Sequence, residues 1–168
     1  MDVRVDRKRL VEWASHAIAT PSFTGSEQEL ATVMAETFKE LGLRVQWQQV
    51  EQGRANVLGI LEGSGGGPTL MFNGHMDTSY SGREPWLKDV PGFQPQAFVR
   101  GGRLYGLGIS NMKGAVAAYV EAVRSLMDDR GHGSLRSTLS PAISTTVVPI
   151  AARADSTTST CTRSIMSV

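Results

Sequence analysis

The chain has 168 residues, 40% of them hydrophobic and 20% charged, with a formal net charge of +1. That length suits one domain rather than three, and the balanced charge offers no electrostatic reason to expect a nucleic-acid or membrane partner. A single cysteine, Cys161, excludes an internal disulfide framework and fits a reducing, cytoplasmic compartment. No run of about 18 apolar residues provides a transmembrane helix, and charged Met1–Leu10 lacks the apolar stretch of a signal peptide. Composition changes abruptly near Gly131. Residues 1–130 hold 15 of the 16 acidic residues, whereas 15 of the 38 residues in 131–168 are Ser or Thr. We therefore expect a functional region over 1–130 and a divergent, disordered tail over 131–168.

In chain order, Leu10, Val11, Ala14, Ala17 and Ile18 recur at helical spacing, which predicts a helix over Arg4–Ala19 that ends before Pro21. Thr24 and Ser26 precede Glu27 and Glu29 at capping-box spacing. They introduce a helix with an apolar stripe of Leu30, Val33, Met34, Phe38 and Leu41, and Gly42 supplies its stop. Leu43, Val45 and Trp47 alternate with polar residues, as in a half-buried strand, and Asn56–Leu61 forms its neighbour. The glycine-rich stretch Gly63–Pro68 reads as a turn. It is not a phosphate loop, because no Gly-Lys-Ser/Thr follows.

Thr69–Phe72 is a short apolar run, which predicts a strand buried on both faces. It leads into Asn73-Gly74-His75-Met76-Asp77-Thr78. Residues 79–96 read as loop. Gly101-Gly102 joins two short strands, Ala97–Arg100 and Arg103–Tyr105, at hairpin spacing. Gly106-Leu107-Gly108-Ile109-Ser110-Asn111-Met112-Lys113-Gly114 then opens a helix that Ser110 or Asn111 can cap. Its stripe is Met112, Ala115, Val116, Tyr119, Val123 and Leu126. Strands alternating with helices predict an α/β domain with a mixed, mostly parallel sheet flanked by helices. Val147–Ile150 is the one short strand candidate in the tail.

His75 and Asp77 follow a strand, the place where open α/β sheets bind ligands. An imidazole can take a metal through one ring nitrogen while a carboxylate orients the other. A His-x-Asp triplet alone is also compatible with a loop histidine beside a solvated aspartate. The two motifs together, Asn73–Thr78 and Gly102–Ala115, resemble the zinc aminoacylase and carboxypeptidase family. That family includes acetylornithine deacetylase, succinyl-diaminopimelate desuccinylase, aminoacylase and glutamate carboxypeptidase. The resemblance covers about residues 5–130, the N-terminal part of a catalytic domain.

The resemblance implies zinc-dependent hydrolysis of an amide bond in an N-acyl amino acid or small peptide. His75 matches the family's zinc-binding histidine, and Asp77 its supporting catalytic aspartate. Asn111 falls where the family places an aspartate that bridges two zinc ions. An amide offers one neutral oxygen where a carboxylate offers two anionic ones, so at most one zinc is expected here, with cobalt or manganese as other candidates. Helix capping is the other role open to Asn111. The family's Glu-Glu pair, general base and ligand, has no counterpart, since no glutamate follows Asp129.

His132, between two glycines, reads as a loop histidine and His16 as a helix-surface residue. Trp13, Trp47 and Trp86 read as core or loop anchors. Lys113, in the first turn of a helix, reads as solvated, and Cys161 has no nearby base to make it a nucleophile. We expect a truncated or frame-shifted copy with little or no activity. A natural divergent protein and a non-catalytic α/β interaction module are the other readings. Uncovered surfaces then favour homo-oligomers or aggregation.

Overall fold

The computed structural model describes residues 4–62, 69–131 and 143–147. Helix α1 (Arg7–Ala19) begins later than the periodicity implies, because Asp6 caps it by accepting the amides of Lys8 and Arg9. Helix α2 (Gln28–Glu40) ends on Gly42, whose amide donates to the Lys39 carbonyl. Its start differs from the expected capping box. Glu27 precedes the helix without a side-chain cap, and its carboxylate is committed to the Gly25 amide and the Arg54 guanidinium.

Strands β1 (Arg44–Glu51) and β2 (Arg54–Leu61) form an antiparallel hairpin. β3 (Leu70–Gly74) follows, then the short hairpin β4 (Phe98–Arg100) and β5 (Arg103–Tyr105), where Phe98 stacks on Tyr105 at 5.0 Å. Both glycines of its turn have positive φ, 58° and 73°, as a two-residue hairpin requires. A π-helical turn (Ile109–Lys113) then runs into α3 (Gly114–Gly131). Strand β6 (Ile143–Val147) lies within the stretch expected to be disordered, and it starts earlier than the Val147–Ile150 candidate. The glycine-rich turn over 63–68, the rest of the tail, His132 and Cys161 lie outside the described residues.

The main sheet has the order β1-β2-β6-β3. It is mixed, as expected, but parallel pairing is the minority among the described strands. β3 runs parallel to β6, whereas β1–β2 and β2–β6 are antiparallel. The core joins Trp13, Ala14 and Ala17 of α1, Met34 and Phe38 of α2, Val57 and Leu61 of β2, and Val116, Val120 and Val123 of α3. Burying these apolar side chains supplies the main drive for assembly. α3 reaches β3 through Tyr119, which stacks on Phe72 at 4.8 Å.

Two strand expectations are corrected. β3 is not buried on both faces, since Leu70 and Met71 are 49% and 45% exposed; the strand stands at the sheet edge. β1 is largely exposed, Trp47 included. Trp13 is the core anchor expected, donating from Nε1 to Thr37 Oγ1, whereas Trp86 is exposed.

Candidate functional site

The segment after β3 holds the first motif. His75 Nδ1 lies 3.0 Å from Asp77 Oδ1 and 3.1 Å from the Asp77 carbonyl oxygen. The carbonyl accepts from Nδ1, which places the hydrogen of a neutral imidazole there and leaves Nε2 with a free lone pair, while Oδ1 lies close without a hydrogen bond of its own. The other carboxylate oxygen of Asp77, Oδ2, accepts from Thr24 Oγ1 at 2.9 Å. The same loop is strapped to this segment by backbone bonds, Thr24 N to Thr78 O and Thr78 N to Ser22 O.

Behind that loop, Arg54 and Glu27 form a buried bidentate pair, with Glu27 0% exposed. Burial pushes the Glu27 carboxyl up, but the Arg54 guanidinium and the Gly25 amide outweigh it and hold the group below the ordinary value. Arg54 is raised in turn, by its bond to Glu27 against the cost of burial, with further support from the charges of Glu51 and Asp77. Sequence reasoning missed Thr24, Glu27 and Arg54 as partners of this region. The Thr24–Glu27 spacing carried the signal, and it read as a local helix cap.

The second motif packs against the first. A Cβ on Gly74 would meet the Met112 side chain at 2.7 Å, and one on Gly108 would meet Thr78 Cγ2 at 2.7 Å. Gly108 has φ 81°, a conformation that suits glycine, and its carbonyl accepts the Lys113 amide in the wide i to i+5 spacing of the turn. Asn111 sits in this turn without capping it: the residue before the turn is Gly108, and no side-chain cap bond is made. A groove of about 560 Å³ borders Asn111, lined among others by Tyr80, Phe93, Arg103 and Tyr105.

Lys113 is not solvated. It is 3% exposed, and its Nζ donates to the Ala17 and Thr20 carbonyls at the end of α1, at 2.6 and 2.9 Å. Burial lowers its pKa to about 8. His16, in contrast, is on the exposed side of α1 as expected.

The donor set can be tested against a metal. His75 supplies Nε2 and Asn111 a neutral amide oxygen. No group of three or more His, Cys, Asp and Glu side chains stands together among the described residues. A zinc site needs three or four such donors, so the described residues do not fit a tightly held zinc, still less a pair.

Residues 71–142 match the model of Peptidase family M20/M25/M40, a match that runs past the change of composition near Gly131. The chain is 37% identical over 111 residues to a succinyl-diaminopimelate desuccinylase from Stenotrophomonas maltophilia, covering 66% of this chain and 28% of that protein. Among solved structures it resembles aminopeptidase PepT from Bacillus cereus (TM-score 0.68, 22% identity, 85% of this chain and 36% of that one). It also resembles an M20 family metallo-carboxypeptidase from Sulfolobus solfataricus (TM-score 0.67, 20% identity, 85% and 30%). These two likenesses concern the fold. The chain spans less than a third of the length of the desuccinylase it matches. Among the described residues no helix is long and apolar enough to cross a membrane.

Proposed function

We propose that the chain is part of a catalytic domain of peptidase family M20/M25/M40, whose model matches residues 71–142, and that it derives from an enzyme cleaving an amide bond in an N-acyl amino acid or small peptide. The observation that carries this reading is the His75–Asp77 pair. The Asp77 carbonyl at Nδ1 leaves Nε2 as the nitrogen available to a metal, in a segment that packs on the Asn111 turn. The desuccinylase match makes a succinylated diamino acid the first substrate to test.

In this proposal the chain as given holds at most one zinc ion, weakly, and has little or no hydrolytic activity. Asn111 supports this reading because it brings no negative charge. Cobalt or manganese would meet the same shortage of donors. The single cysteine supports a reducing, cytoplasmic setting.

The test is metal content after equilibration with zinc and dialysis, together with hydrolysis of N-succinyl-diaminopimelate. The wild-type chain retains well under one equivalent of zinc and shows little turnover. Asn111→Asp raises the retained zinc severalfold. Unchanged zinc content in that variant removes Asn111 from the site, and robust zinc-dependent turnover by the wild type overturns the proposed inactivity.

A further inference from the structure

Lys113 presents a problem that the amide-hydrolysis reading leaves untouched. It is a buried cation with no salt bridge among the described residues. Two carbonyls accept from its Nζ, which leaves one ammonium hydrogen to satisfy. Burying a charge without an opposite charge is costly.

Beside it lies a cavity of about 80 Å³ between the 20–23 loop and the 78–83 segment. Its lining includes Lys113, Ser22, Thr20, Thr78, Tyr80 and Arg83. Ser22 is 2% exposed, and its Oγ has no hydrogen-bond partner among the described residues. A buried hydroxyl without a partner is itself unfavourable. No carboxylate lines the cavity. The carboxylates next to the lining in sequence take bonds elsewhere, Asp77 Oδ2 from Thr24 and Glu84 Oε1 from the amide and hydroxyl of Ser81. The second cavity that Lys113 borders, with His75 and Met76, holds no carboxylate either.

A buried cation, Lys113, with exposed Arg83 beside it, an orphan hydroxyl and no lining acid make a small electropositive cavity. A water molecule's share of liquid volume is about 30 Å³, so the cavity of about 80 Å³ has room for a small ion together with one or two waters. We propose that this cavity binds a small monovalent inorganic anion such as chloride, held by the Lys113 ammonium, the Ser22 hydroxyl and Arg83. The anion answers both the uncompensated cation and the unpaired hydroxyl. It also ties the loop that carries Thr24 to the segment that follows Asp77. The inference does not depend on metal binding or hydrolysis.

The probe is sodium chloride added to the full chain in sodium gluconate at constant ionic strength. The wild type gives an excess ³⁵Cl linewidth that saturates and is displaced by iodide. Its Tm rises by about 4 °C once chloride exceeds its Kd tenfold. Both effects are lost in Lys113→Met. Should that variant fail to fold, Ser22→Val keeps the lysine while removing the hydroxyl and filling the chamber, and it abolishes both effects as well. A wild type whose linewidth and Tm are the same in chloride and gluconate overturns the proposal and leaves water in the cavity. So does an effect that persists unchanged in Ser22→Val.

Discussion

Glu27 shows how one residue can carry two incompatible local meanings. Its position three after Thr24 is that of a capping box, yet Thr24 donates to Asp77 and Glu27 pairs with Arg54. The charged pair wins because an arginine buried beside a neutral partner would be left uncompensated. Glu27→Gln breaks the pair and is expected to cost about 3–5 kcal/mol, read from the urea midpoint at neutral pH. The sign of the pH effect follows from the depressed carboxyl. Its stabilisation is fully present above the ordinary value of 4.5 and is lost as pH falls through the lower folded value. The wild-type midpoint therefore declines below about pH 4.5, and the variant declines less steeply. Equal slopes for the two proteins would show that another carboxyl governs acid unfolding.

At the scale of elements, α2 against β2 is the contact on which the sheet rests. A Cβ on Gly59 would sit 2.7 Å from the Phe38 ring and 2.8 Å from Leu43, so the helix meets the strand at bare backbone. Gly59→Ala is expected to destabilise by about 1–3 kcal/mol through overpacking, with an unchanged m-value in urea. A neutral result would mean that the Phe38 ring can shift aside at little cost. The helices were legible from periodicity, because Met34 and Phe38 repeat at the spacing that one buried face requires. Strand environment was less legible. The run Thr69–Phe72 is apolar whether a strand is central or at an edge, and only pairing in space distinguishes the two.

The main sheet leaves two edges among the described strands, β1 and β3, and β3 presents the apolar run. β3 pairs on one side with β6 and exposes Leu70 and Met71. An apolar edge strand invites pairing with another chain. The double variant Leu70→Lys, Met71→Lys is expected to lower the concentration-dependent mass seen by light scattering after gel filtration, with the Tm little changed. Self-association that survives both lysines would place the contact elsewhere, with exposed Trp86, Phe93 and Val99 the next surface to test.

The sequence by itself determined the local chemistry: three amphipathic helices, the hairpin over 97–105, the His75-x-Asp77 motif and an amide, Asn111, in the second motif. These are readable because period, turn residues and donor type are properties of a few consecutive positions. Tertiary structure alone decided which partners those residues meet. It turned Thr24 toward Asp77, paired Glu27 with Arg54 across 27 positions, and drew Lys113 under the end of α1. It also set β6 between β2 and β3, from a stretch too rich in Ser and Thr to show an apolar strand pattern. Each of these joins residues far apart along the chain, where a contact depends on how elements pack and leaves no periodic trace in the sequence.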